Sequence, residues 1–423
     1  MSLPVSTAIR FAAAALAAGM SLSAWADADF SGQLRLRWDD RQAATQGPLA
    51  QGAQLAPDLV ARPASAGTVE SELRGRWNML SAAVALHQER PESAAWHSDA
   101  TVNELYASGD AGGWQFSAGR KVVAWDVGYG FRPNDIVQQE TRRTLLTSTQ
   151  QGRALVQAEH FDAHTAWSLV WVNPQRATEG NASPAFGADE QALAARVYAH
   201  AGAADWHGFA RWGQRTRSSL GAATSWVASD SLELHASVRW AEQADVLAFD
   251  PSAQGLVGSS PYRMTTQNNR QQLLLGSTWT AENKLSLMGE LWYDGTAASN
   301  AQWDAWNARN RQLAQAWVPG APDALRRGVA GNLGWQAQAF GGQSLRRGNV
   351  FVRASWDHEG WQPAIDMLYM PADRGRMVTA SLGWQGDRLR VDAGWRVNAG
   401  PGDSVAAQLP VKRTAFAALT WAF

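Results

Sequence analysis

Arginines recur at two-residue spacing along this chain. Arg35 and Arg37, Arg74 and Arg76, and Arg390, Asp392 and Arg396 each alternate with apolar residues. On an extended strand that spacing puts the charges on one face. Arg196, Arg211, Arg239 and Arg353 fall on the equivalent face of their own segments. So do Glu70, Glu72, Glu104, Glu159, Glu233, Glu290 and Asp366. A guanidinium is permanently charged and grips carboxylates as a planar fork. Taken singly, such pairs brace neighbouring strands. As a set they require water, because this much charge is too costly in a dry interior. The chemistry on offer is that of a wet, mixed-charge conduit wall, and the near-balance of signs predicts weak ion selectivity.

A second cluster lies in Val122–Gly152, VVAWDVGYGFRPNDIVQQETRRTLLTSTQQG. Gly128, Gly130 and Pro133 allow tight bends. Trp125, Tyr129 and Phe131 supply rings, and Asp126, Arg132, Asp135, Glu140, Arg142 and Arg143 supply charge. A connection this long between regular elements is usually functional. Folded inward, it would set arginines against carboxylates at a constriction. Trp125, Asp126, Tyr129, Arg132, Asp135, Glu140, Arg142 and Arg143 are the candidate pore-lining residues. An ordered surface loop is the alternative.

Other chemistries find little support. The chain has no cysteine, so disulfides, thiolate metal sites and a catalytic Cys are absent. His160, Asp162, His164 and Ser168 are close in sequence but straddle a tight turn, and a hydrolase needs its nucleophile and base together. No further ligand clusters near the two histidines for a metal. The reading is not an enzyme, with no cofactor and no metal. A net charge of −1 gives no case for nucleic acid.

The elements that must position these residues are strands. Ser231–Trp240 sets Leu232, Leu234, Ala236, Val238 and Trp240 against Glu233, His235, Ser237 and Arg239. Arg388–Asn398, Phe30–Trp38 and Glu70–Trp77 repeat the pattern over about ten residues, the length of a tilted membrane-crossing strand. Candidate strands begin near residues 30, 70, 80, 101, 114, 153, 164, 191, 205, 217, 231, 271, 284, 348, 361, 376, 388 and 414. Trp114–Lys121 and Gln271–Thr280 alternate ambiguously. Connections are by turns short and long: tight at Asn78-Met79 or Ser229-Asp230, long at 39–69, 122–152, 242–270 and 294–347. The expectation is a transmembrane antiparallel up-and-down β-barrel of 16 to 18 strands, with 18 favoured. Long loops are extracellular and short turns periplasmic. Gly331–Phe340 reads as a further strand or as loop. In Gln302–Pro319, Trp303, Trp306, Leu313 and Trp317 share a helical face, which suits a lid over the mouth or a helix packed on the rim.

Compartment is read from the ends and the aromatics. Arg10, the run Phe11–Leu22 and the small-x-small Ala24-Trp25-Ala26 have the form of a cleavable signal peptide at 1–26, leaving 27–423 as one barrel domain. There are 23 Trp, which suits two aromatic girdles at membrane interfaces. Sugar stacking by loop residues such as Trp96, Trp125 and Trp335 is a weaker account. The last strand, Thr414–Phe423, alternates to its final residue. This ending resembles that of bacterial outer-membrane β-barrels, in which a terminal Phe is read by the barrel-assembly machinery; Phe423 is the matching position. With the long loop after the fifth strand, the chain resembles the porin superfamily, whose third loop folds inward. Arg35/Arg37, Arg74/Arg76 and Gly119-Arg120-Lys121 are also similar to the alginate-export type of 18-stranded barrel. The resemblance implies a Gram-negative outer membrane, lipid and lipopolysaccharide as surroundings, and passive transport of small hydrophilic solutes, anionic or sugar-like. The alternative it leaves open is a polysaccharide-export or surface-binding barrel with a loop-occluded lumen.

Overall fold

The computed structural model describes residues 28–92, 94–138, 151–173, 190–250 and 252–423. Glu140, Arg142, Arg143 and the signal segment lie outside the described residues. Eighteen antiparallel strands form a single sheet. They are β1 Ala28–Ala43, β2 Ala66–Trp77, β3 Leu80–Pro91, β4 His97–Ala111, β5 Trp114–Lys121 and β6 Arg153–Phe161. Next come β7 Thr165–Val172, β8 Ala192–Ala201, β9 Ala204–Gly213, β10 Arg217–Ser229, β11 Leu232–Phe249 and β12 Tyr262–Thr280. The last are β13 Leu285–Asp294, β14 Gly348–Trp356, β15 Trp361–Met370, β16 Gly375–Gln385, β17 Leu389–Ala399 and β18 Val411–Ala422. Each strand pairs with its sequence neighbours, and β1 also pairs with β18, so the sheet has no free edge.

The β1–β18 ladder closes the barrel, and the last residue extends it by one more pair. The Gly32 amide donates to the Phe423 carbonyl at 2.8 Å, and the Phe423 amide returns a bond to Gly32 at 3.0 Å. A Cβ on Gly32 would stand 2.6 Å from the Phe423 ring, so the ring lies over the bare backbone there. This is the aromatic cover that strengthens a glycine in a strand.

Alternation along each strand separates two faces. Leu34, Leu36 and Trp38 pair outward, while Arg35 and Arg37 face in. Exposed apolar side chains occupy the exterior: Leu73, Val84, Leu169, Leu220, Leu275, Leu291 and Ile365 among them. Trp77, Phe161, Trp167, Trp206, Trp226, Trp279, Trp356 and Trp361 ring the end with tight turns. Trp38, Trp171, Trp212, Trp240, Tyr293 and Trp395 stand at the other level. An apolar belt between two aromatic rings is the exterior of a membrane-spanning barrel.

Several boundaries differ from the sequence reading. The β11–β12 ladder continues outward through Val246↔Thr265 to Phe249↔Tyr262, well into what read as a loop at 242–270. Side-chain packing sustains it there: Phe249 and Tyr262 meet edge-on at 5.6 Å, and Tyr262 Oη donates to Gln336 at 3.0 Å. Residues 331–340 are helical, not a strand. Among the described residues, three α-helices decorate the long-loop end: α1 Pro48–Leu55, α2 Asn300–Gln315 and α3 Asp323–Gln336. In α2, Ser299 and Gln302 form a reciprocal capping box, so the helix starts where its first amides are satisfied.

Candidate functional site

Residues 122–138 follow β5 and turn into the barrel. Two carboxylates organise the segment. Asp135 Oδ1 accepts the amides of Trp125 at 2.7 Å and Asp126 at 2.9 Å. Asp126 accepts the amides of Val127 at 2.9 Å and Asn134 at 2.6 Å. The chain is thus folded back on itself, and the tip between them is a tight bend. A Cβ on Gly128 would lie 2.0 Å from the Phe131 carbonyl oxygen, so glycine is required there. Burial pushes Asp135 up to about 6 and raises Asp126 too, against the amides and Arg132 that favour the charged form.

The segment lies along the inner wall from β6 to β14. At its base, Val123, Trp125, Ile136 and Val137 pack on Leu155 of β6, Val170 and Val172 of β7, Ala192 and Ala194 of β8, and Phe209 of β9. In the middle, Ser237 on β11 donates to Asp126 at 2.7 Å, and the Asn134 amide group bonds Ser237 at 2.8 Å and the Val238 carbonyl at 3.1 Å. At the tip, Glu290 of β13 accepts the amides of Tyr129 at 2.6 Å and Gly130 at 2.7 Å. His235 Nε2 lies 3.0 Å from the same carboxylate. Phe131 stacks on Trp292 at 5.7 Å above Leu274.

This placement sorts the candidate residues. Tyr129 is exposed to the lumen, stacked on Phe351 at 5.7 Å, with the Arg353 guanidinium 5.9 Å from its ring centre. Arg132 faces the same space, tied to the Gly128 carbonyl at 2.7 Å. Trp125, Asp126 and Asp135 are a correction to the pore-lining reading: all three are buried and hold the segment in place. Arg211 and Arg239 are a second correction. Arg211 is buried against Glu190 at 2.7 Å, and Arg239 sits beneath the segment, donating to the Pro133 carbonyl at 3.3 Å.

The uncovered wall, β14 through β18 and β1 through β5, carries most of the exposed charge, and β6, β8 and β9 add Glu159, Arg196 and His207 on the tight-turn side of the segment. Arg35 pairs with Glu70 at 3.2 Å, which also meets His87 at 3.2 Å. Arg37 and Arg41 flank Asp39 at 2.8 and 2.9 Å. Arg74 pairs with Glu72 at 2.7 Å, Arg353 with Asp366 at 3.3 Å and Arg390 with Asp392 at 2.8 Å. Arg396 donates to Thr379 at 2.9 Å, and Arg76 is exposed near the tight-turn end. Glu104 accepts the Val122 amide at 3.0 Å, where the inward segment leaves β5. Glu159 lies 3.8 Å from Lys121 and accepts from Ser168 at 2.9 Å. Arg196 stands 3.2 Å from His207 Nδ1. The lumen is therefore two-sided: a charged wall faces a wall covered by an inserted segment.

Ser168 is spent on Glu159, and His160 is held by the Gly113 carbonyl at 2.8 Å, so the four residues near the β6–β7 turn do not assemble a nucleophile and base. Among the described residues no three His, Cys, Asp or Glu side chains group to hold a metal. Sequence reasoning missed Ser237 and Asn134 as anchors; inward parity on β11 was the signal for Ser237, and Asn134, in the loop segment, gave none.

Helices cover part of the mouth. Trp303 and Trp306 of α2 pack on Phe340, Met370, Val405 and Leu409, with Trp306 Nε1 donating to Gln336 at 3.1 Å. Arg326 of α3 donates to the Leu55 carbonyl, and Arg327 pairs with Asp58 at 2.6 Å. The Asn332 side chain exchanges two bonds of 3.1 Å with the Val257 backbone. α3 is thus where the β1–β2 and β11–β12 loops meet. Ten strands separate those loops one way round and eight the other, so their meeting place lies across the mouth.

No family model matches the sequence, and no curated protein matches it. Solved structures match in shape. Acinetobacter baumannii OccAB1 aligns at TM-score 0.54 and 11% identity, covering 94% of this chain and 96% of that one. Pseudomonas aeruginosa OccK5 (OpdH) aligns at 0.53 and 10%, covering 94% and 98%. This is the fold of the outer-membrane porins. Pseudomonas aeruginosa OccK8 (OprE) gives 0.51 at 9% identity over 94% and 98%. At such identities the likeness resides in the porin barrel, and the lumen side chains are this chain's own.

Proposed function

We propose that the protein is an outer-membrane channel through which small hydrophilic solutes, anionic or sugar-like, diffuse without chemistry or cofactor. The observation that carries this is the two-sided lumen. Residues 122–138 lie against the wall from β6 to β14, and the wall left uncovered is lined by paired charges. Such a wall replaces part of a solute's hydration while leaving binding weak enough for release. Most arginines there already hold a carboxylate, so net selectivity is weak. Tyr129, Arg132 and Arg353 are the candidate constriction surface at the segment's tip, and Glu140, Arg142 and Arg143 remain candidates to join it. Phe423, closing β18 on β1, is the residue offered to an assembly machinery. The test is planar-bilayer conductance with reversal potentials under a salt gradient: discrete steps with slight ion preference support the channel, and absence of current removes it.

A second reading is supported by one observation, the α3 junction across the mouth. A barrel capped in this way would serve export or surface binding. Removal of residues 300–336, α2 and α3 together, discriminates: current that appears only after the deletion favours the capped barrel.

A further inference from the structure

Arg376 and Arg413 point the wrong way for a lumen. The β17–β18 register sets Arg413 beside Val397, and the β15–β16 register sets Arg376 beside Tyr369. Both positions share the outward parity of Trp395, Ile365 and Leu382, whose side chains are exposed on the apolar belt. Arg413 lies one row beyond Trp395, because Trp395 pairs with Ala415. Arg376 lies one row further, beside Ala399. Both are therefore just outside the aromatic ring at the long-loop end, at headgroup level. Arg374, in the β15–β16 connection, is exposed next to them with φ of 58°.

These side chains have no partner among the described residues: no carboxylate stands within ion-pair distance of Arg374, Arg376 or Arg413. The contrast with the inner face is sharp, since nearly every lumen arginine there is held. Asp40, the outward carboxylate one row below Arg413, receives the Ser65 hydroxyl at 3.2 Å. An outward arginine left without a partner at a membrane boundary needs an anion from the membrane itself. The two Cα positions are two strands and one row apart, about 12 Å by strand spacing and rise. Their guanidinium forks can close on two phosphates of one large headgroup or on one phosphate between them.

We infer that Arg376 and Arg413 form a docking site for the phosphorylated headgroup of an outer-leaflet lipid. This rests on the barrel spanning an outer membrane and not on what it conducts, so a barrel without current leaves the lipid test standing.

The experiment is native mass spectrometry of the full barrel, extracted in mild detergent and incubated with a phosphorylated glycolipid, with phosphatidylcholine, or with inorganic phosphate. The wild type retains the phosphorylated glycolipid in preference to phosphatidylcholine. Arg376→Gln/Arg413→Gln loses that retention at least tenfold, while Arg376→Lys/Arg413→Lys keeps part of it. Arg76→Gln, inside the lumen, leaves it unchanged. Equal retention by wild type and the double Gln variant, with both barrels folded by heat-modified gel mobility, overturns the site. Retention abolished by inorganic phosphate alone overturns the lipid as its occupant.

Discussion

Glu290 on β13 accepts the Tyr129 amide at 2.6 Å, across 161 residues of chain. The other oxygen of the same carboxylate takes Gly130, and His235 stands beside it. One buried acid thus fixes the tip of the inserted segment to the far wall. Everything proposed about the lumen depends on that tip staying there.

Replacing Glu290 by Ala leaves two part-buried amides without acceptors, at a cost toward the lower end of about 1–3 kcal/mol each. The tip should release while the barrel persists. Single-channel conductance should rise and become noisier, and Glu290→Gln, which keeps an acceptor oxygen, should change it less.

Phe131 is buried between Trp292 and Leu274. Phe131→Ala removes that contact, a truncation that costs about 3–5 kcal/mol in a packed core. The loss falls on the segment and not on the strands. Limited proteolysis should cut within 122–138 in the variant and spare the wild type, with heat-modified gel mobility unchanged.

Asp135 predicts a pH dependence. Its carboxyl is raised from an ordinary value near 3.8 to about 6 by burial. The folded state thus holds a proton that the unfolded segment has already released. Its contribution is full below the ordinary value and is lost as pH rises to about 6. Hydrogen-exchange protection of the Trp125 and Asp126 amides, corrected for intrinsic rate, should be greater at pH 4 than at pH 7. Asp135→Asn retains an acceptor oxygen and should flatten the dependence.

The chain has no cysteine, so an introduced pair reports one contact. Asp58→Cys with Arg327→Cys should be bridged in intact cells by a short bis-methanethiosulfonate reagent, because the native side chains meet at 2.6 Å across the length of the arginine stem, a gap too wide for a direct disulfide. The crosslink should leave conductance steps in place if the mouth beside α3 stays open. Their loss on crosslinking and return when the mixed disulfides are reduced would mark α3 as the gate.

Strand order and parity were legible because lipid on one side and water on the other enforce strict alternation, as in Ser231–Trp240. Ambiguity arose where a third surface intrudes. The run Leu273-Leu274-Leu275 defies alternation because Leu274 faces inward under Phe131 while its neighbours face lipid. Val170 and Val172 on β7 are inward and apolar for the same reason, beneath Trp125 and Ile136. Those irregular strands were a trace of the inserted segment, written on the wall that it covers. The roles of Trp125, Asp126 and Asp135 were not legible. A ring or carboxylate in a loop has the same letter whether it lines a channel or is pressed against its wall. Outward continuation of β11 and β12 was hidden because polar residues there follow no bilayer constraint.

The most direct test of the account is the single-channel conductance of the wild type beside Glu290→Ala in planar bilayers. We expect discrete wild-type steps, weakly ion-selective, and larger steps in the variant. Wild-type barrels that pass no current, or a variant whose steps match those of the wild type, would contradict a channel narrowed by the segment that Glu290 holds.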